Sequence, residues 1–229
     1  MINLITASAF FLLLHRVVSG SSLRSLIASR IGEGRFRGAF ALASFAAVAW
    51  LGFAYAAAPP MWREHLWSVP SFVRYAQLAL QPVGLLLVIT GFMTPNPGTV
   101  GQEDQVDRPG VVRGALRVTR HPFLWGVALI SIGHMATVPS PRGLLLFGTL
   151  LVVALAGTAS IDAKRRTLLG PRWTPFATAT SNLPLAAILS GRQSLQVSEF
   201  SGKAPALAAA LSALSWLVHP ASWSVVSAQ

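Results

Sequence analysis

Five histidines are the side chains of this sequence best equipped for chemistry: His15, His65, His121, His134 and His219. An imidazole can ligate a metal through either ring nitrogen, carry a proton near neutral pH, or simply hydrogen-bond. Cysteine is absent, which excludes disulfides, thiolate metal sites and thiol nucleophiles. The sequence also lacks a glycine-rich phosphate cradle, a pair of catalytic carboxylates and a nucleophile elbow. What the histidines can do therefore depends on the elements that position them. His121 poses the question most sharply, because "RVTRHPFLWG" sets it where a basic loop meets an apolar run.

Composition identifies the solvent in which those elements sit. Of the 229 residues, 53% are hydrophobic and only 11% charged, against about 25% charged in a soluble domain. The apolar residues are blocked into runs near the roughly 20 residues that cross a bilayer as helix. The sequence thus predicts an all-α fold, a polytopic membrane helix bundle of about six transmembrane helices. They fall at residues 2–18, 38–58, 72–93, 121–138, 143–161 and 204–218, with Pro82 expected to kink the third. Residues 1–200 read as one transmembrane domain, and 201–229 as a C-terminal transmembrane helix with a short tail. "APP", "TPNPG" and "PSP" punctuate the runs.

A formal net charge of +11 would suggest nucleic acid in a soluble protein. Here the basic residues lie in loops between apolar runs, so topology and anionic headgroups account for them and no nucleic-acid partner is expected. Fifteen of the 18 Lys and Arg fall on one side of the six-helix layout, and only Arg63, Arg74 and Arg142 on the other. The positive-inside rule then places both termini on the outer side. The first run is not expected to be a secretory signal, since its arginines, beginning with Arg16, follow it instead of preceding it.

This layout sorts the histidines by depth. His15 ends the first helix and His121 begins the fourth, both at the cytoplasmic side. His65 lies in an outer loop, and His219 lies at the outer end of the last helix. His134 follows His121 by 13 residues, about 20 Å along a helix and roughly 220° around it. The pair able to meet at one level is therefore His15 and His121. Two imidazoles on separate helices of a bundle suit the axial ligation of haem. Arg117, one turn before His121, and Arg120, adjacent to it, are then candidates for the haem propionates. The plainer alternative is a histidine that snorkels, or bonds a backbone carbonyl, at a helix end. His134 is expected to hydrogen-bond between helices, and it is the alternative second ligand.

Four blocks carry a resemblance. "HRVVSGSSLRSLIASRIGEGRFRGAFALASF", "TPNPGTVGQ", "RVTRHPFLWGVALISIGH" and "DAKRRTLLGPRWTPFATATSNLP" resemble, in order and spacing, the NnrU family of bacterial membrane proteins. The same domain occurs in the 15-cis-zeta-carotene isomerases of plants and cyanobacteria. The match covers about residues 1–200, and Val18 departs from a proline frequent in the family. The resemblance implies an integral protein of the bacterial inner (cytoplasmic) membrane, in contact with lipids. For the isomerase branch it implies a haem b cofactor with two histidine ligands and redox-dependent cis-to-trans isomerisation of a lipophilic polyene. Bacterial members are associated with nitrogen-oxide metabolism. The positions that match the ligands are His15 and His121.

A second resemblance competes with the first. "RHPFLWG" followed by "DAKRRTLLGPRWTPF" is similar to the isoprenylcysteine and phospholipid methyltransferases of membranes, which hold S-adenosylmethionine with an Arg-His-Pro segment and a downstream acidic pair. Here Asp162 is followed by Ala163, so half of that acidic device is missing. On the residues alone, Asp162 is expected to neutralise Lys164, Arg165 or Arg166. Gln77 and Gln81 share a helix face and are expected to bond between helices. Glu33 and Arg37, also four apart, read as a surface pair.

Overall fold

The computed structural model describes residues 1–18, 23–200 and 202–218; His219 lies outside them. The described residues are helical or irregular, without a strand. The helices are α1 (Ile2–Leu13, prolonged by a wider π turn, Leu14–Val18), α2 (Leu23–Ile31), α3 (Glu33–Ala56), α4 (Ser71–Met93) and α5 (Ala115–Val118). They continue with α6 (Pro122–Thr137), α7 (Pro141–Leu169), α8 (Trp173–Ala179), α9 (Ala186–Leu189) and α10 (Lys203–Val218).

Each of the six expected apolar runs forms a helix, and α7, which continues to Leu169, departs furthest from its expected bounds. Three are long and apolar enough to cross a membrane by themselves: Glu33–Ala56, Ser71–Met93, and α7 continued through α8 as Pro141–Ala179. A fourth is counted if Ile2–Val18 and Leu23–Ile31 form one bent span. The remaining two, Pro122–Thr137 and Lys203–Val218, have 16 residues each, about 24 Å against a hydrocarbon core of roughly 30 Å. The cause for α6 is local. Proline restricts the residue before it to extended backbone and fits the first helical position, so the helix starts at Pro122 and His121 stays outside it. At the other end, Pro139 and Pro141 bracket Ser140, whose Oγ accepts the N–H of Gly143 as α7 begins.

The chain divides into two compact units, with the divisions falling inside α6 and α7. The first comprises Met1–Val69 with His134–Val153. Its core is apolar: Leu4, Ala7, Phe11 and Leu14 pack on Ala47, Leu51 and Ala54 of α3 and on Leu145, Leu146 and Leu150 of α7. Polar links are few and specific, such as Trp50 Nε1 donating to Asn3 Oδ1 at 2.8 Å. Glu33 and Arg37 pair as expected, at 3.5 Å.

The second unit comprises Pro70–Gly133 with Ala154–Gln229. Here α4 and α6 approach through glycines. A Cβ built on Gly126 would lie 2.6 Å from the Gly84 carbonyl oxygen, and one on Gly91 would lie 2.4 Å from the Phe123 nitrogen. Such contacts admit only hydrogen, so these glycines set how closely the start of α6 sits against α4. α10 packs along α4 and is joined to it by the expected polar pair: Gln77 Nε2 donates to Gln81 Oε1, and Gln81 Nε2 to Ser215 Oγ, each at 3.1 Å. At one end of this unit, Leu116, Leu169, Trp173 and Phe176 form a second small core. The "LLGPRW" stretch supplies Leu169 and the buried Trp173 to it.

Candidate functional site

The polar residues of the second unit converge on the short turn between α5 and α6. α5 ends at Val118, and Thr119 is extended (φ −158°, ψ 146°). Arg117 and His121 therefore do not share a helical face, contrary to the expectation from their spacing. The same turn brings Arg120 and His121 together onto Asp162 of α7. Arg120 Nε lies 3.0 Å from each Asp162 carboxylate oxygen and its Nη2 lies 2.9 Å from Oδ2, a bidentate grip. His121 Nε2 lies 2.8 Å from Asp162 Oδ1. All three side chains are largely or wholly buried. Asp162 thus turns to the turn residues, and Arg165 instead takes Glu103 at 2.7 Å.

Backbone and amide groups brace this triad from three sides. Thr119 Oγ1 donates to the Asn182 carbonyl at 2.6 Å and accepts the His121 N–H at 3.2 Å. The Arg120 N–H donates to the Ser181 carbonyl, while the Arg120 carbonyl accepts Asn96 Nδ2 from the "TPNPGTVGQ" loop. Asn96 Oδ1 also accepts the Gly98 N–H, closing that loop on itself. Trp125 Nε1 reaches Asn182 Oδ1 at 3.3 Å. Leu185 donates its N–H to the Val118 carbonyl from left-handed backbone (φ 65°), a strained conformation for a leucine held by its surroundings. Buried polar groups this fully matched rigidify what they surround.

Arg117 belongs to a neighbouring, more exposed cluster. Its Nε and Nη2 hold both oxygens of Glu199 at 2.8 and 2.9 Å, and its Nη1 donates to Gln193 Oε1 at 2.7 Å. The Gly114 N–H adds a further bond to Glu199. The Arg117 hydrogen bonds hold the Glu199 carboxyl below its ordinary range, and Glu199 in turn raises Arg117.

His15 lies in the first unit in different surroundings. Its Nδ1 is 2.9 Å from the Phe11 carbonyl oxygen, one helical turn back. Its ring packs on Phe11, with centroids 4.3 Å apart, and meets Phe40 edge-on at 5.4 Å. His134 stacks on Phe147 at 4.5 Å, and His65 is exposed in its loop. Among the described residues, no three His, Asp or Glu side chains gather to hold a bare metal ion.

Asn96, Thr119, Asn182 and Glu199 were not singled out from the sequence, though the first three lie within the quoted blocks. For those three the signal was position: Asn96 lies between two prolines in "TPNPG", Asn182 two residues before Pro184, and Thr119 beside Arg120 just ahead of Pro122. The chain matches the model of one family, described as NnrU protein, over residues 3–226. No curated protein and no solved structure matches it. The chain belongs to the NnrU family.

Proposed function

We propose that this NnrU protein is a haem b-binding protein of the bacterial inner membrane, with His15 and His121 as the residues that would hold the haem iron. The observation that carries the reading is the His121–Asp162 contact. Metal-binding imidazoles characteristically donate their other ring N–H to a carboxylate, which fixes the tautomer and strengthens the donor nitrogen. With Nε2–H directed at Asp162, the lone pair of His121 is on Nδ1. His15 is prepared in the complementary sense. Its Nδ1–H is given to Phe11, so the lone pair is on Nε2, beside the Phe11 and Phe40 rings. Each imidazole therefore keeps one nitrogen for a metal, Nε2 at His15 and Nδ1 at His121.

Bound haem would supply one-electron chemistry or Lewis acidity. The residues of the chain would fix the imidazoles, exclude water and admit a lipophilic small molecule. A polyene isomerised from cis to trans, or a step of nitrogen-oxide metabolism, are the reactions for which family resemblance argues. Arg117 and Arg120 would meet propionates only by giving up Glu199 and Asp162, so Arg120 serves this reading better by steadying the carboxylate behind His121. Six crossings with both termini outside complete the proposal. Six apolar helices and the 15 basic residues on one side support it.

The test is the absorption spectrum of the protein purified in detergent after haem-replete expression. A Soret band lost or shifted in His15→Ala and in His121→Ala is the expected result. No band ends the haem reading, and a band that survives both substitutions unchanged ends the assignment of ligands.

One observation favours a second reading, a membrane S-adenosylmethionine-dependent methyltransferase. Arg120, His121 and Asp162, the residues singled out by that resemblance, form one cluster. Each already satisfies the others, and that weighs against a cofactor contact there. Calorimetry with millimolar S-adenosylmethionine decides this: saturable heat supports methyl transfer, and none removes it.

A further inference from the structure

The segment "LRSLIASRI" folds as α2, yet none of its nine residues is buried in the protein. At about 100° per residue, Leu23, Leu26, Ile27 and Ile31 share an arc of roughly 140° that also contains Arg30, and Ser25 and Ser29 lie opposite. Leu23, Leu26 and Ile31 are exposed, Leu26 at 52%. α2 leaves the first helix at 77°. It ends at Gly32, whose φ of 88° suits glycine and lets α3 set off at once.

The charges around α2 are unbalanced. Glu33 is the one acidic residue between Arg16 and Arg37, and it is occupied by Arg24 and Arg37. Arg16, Arg30 and Arg35 are exposed and make no ion pair among the described residues. A helix with two arginines in nine residues is costly in hydrocarbon, and one with its large aliphatic side chains bare is costly in water. The headgroup layer satisfies both halves, because the aliphatic side chains enter the acyl boundary while the guanidiniums, Arg30 by snorkelling out of the same arc, reach phosphate.

We propose that α2 is an in-plane helix of the headgroup layer, not part of a bent span, and that Arg16, Arg30 and Arg35 bind the phosphates of anionic phospholipid. The natural absence of cysteine makes the test clean. Nitroxide labels are placed one at a time on Leu26→Cys and Ser29→Cys in the full-length protein. The protein is held in nanodiscs of phosphatidylcholine, with and without phosphatidylglycerol.

At 26, relaxation by oxygen exceeds relaxation by a water-soluble nickel chelate, and at 29 the order reverses. Adding phosphatidylglycerol immobilises the label at 26. Arg30→Gln with Arg35→Gln abolishes that response, and each arginine removed weakens the preference for the anionic lipid about fivefold. Leu23→Cys reports on the same face should Leu26→Cys not fold. Nickel dominating at both sites would place α2 in water, and oxygen dominating at both would make it part of a span. Either result overturns the proposal, as does a lipid response left intact in the double arginine variant.

Discussion

His15 and His121 present one side chain in two kinds of surroundings. In the first unit the imidazole is held by a carbonyl of its own helix and by two aromatic rings. In the second it is held by a carboxylate that a bidentate arginine also grips. Orientation at His15 is thus a matter of packing and one local bond, which can be given up one at a time. Orientation at His121 belongs to a network of charges removed from water, where losing one member strands the others. The first arrangement leaves a side chain free to turn, and the second fixes one in place.

The sharpest way to break this contrast is to remove the carboxylate. Asp162→Ala leaves the Arg120 guanidinium buried without its partner, which costs about 3–5 kcal/mol in comparable cases. His15→Ala removes packing and one bond to a carbonyl and is expected to cost clearly less. Thermal unfolding in one detergent compares the two. Equal losses would mean that the two histidines are held alike after all. Asp162→Asn sharpens the result, because it keeps the shape and a hydrogen-bonding oxygen while removing the charge, and it should fall between wild type and Asp162→Ala.

Glycines extend the contrast from side chains to helices. Gly91→Ala would press a methyl group onto the backbone of Phe123, two residues beyond His121. Overpacking of this kind costs about 1–3 kcal/mol, and here it displaces the start of α6. Gly52, on α3 of the first unit, has nothing within 4 Å of an added Cβ. Gly52→Ala should therefore be neutral, or stabilising by no more than about 1 kcal/mol. A purified Gly91→Ala protein as stable as wild type would show that α4 and α6 can part freely.

The two units also differ in how far they could be read from the sequence. The apolar runs announced α3 and α4 to within five residues, because bilayer-length hydrophobic blocks are local signals, but they stopped α7 eight residues short of Leu169, where the helix turns basic. The same signal placed α6 within a residue at each end but carried its face back to Arg117, since apolar count does not register the prolines that bound it. "RHP" held the correction: a histidine before proline cannot continue a helix backwards to Arg117. What no local pattern carried was the partner of Asp162. Arg165, three positions on, was the nearer candidate, but the fold sends Arg165 to Glu103 and brings Arg120 across 42 residues. Pairing in the second unit is tertiary, whereas the bond of His15 to Phe11 is helical and was among the bland readings of a histidine at a helix end.

The smallest effect concerns the rim of the second unit, where the contrast between exposed and buried charge can be read within a few residues. Arg117 grips Glu199 as Arg120 grips Asp162, but the outer pair is partly in water. Exposed pairs contribute about 0–1 kcal/mol, so Glu199→Gln should be nearly silent in global unfolding. Its effect should appear locally, as faster amide exchange over residues 190–200, which the Glu199 bonds to Gly114 and Arg117 hold against the turn. The sign with pH follows from the depressed carboxyl. Because the folded value lies below the unfolded one, the stabilisation is complete above the ordinary glutamate range, near pH 4.3. It fades as pH falls through the folded value. Corrected for intrinsic exchange, wild type should thus match Glu199→Gln only at acid pH and be better protected at neutral pH. Equal protection at neutral pH would mean that the arginine–carboxylate grip contributes nothing where water reaches it, and the contrast with Asp162 would then be one of kind instead of degree.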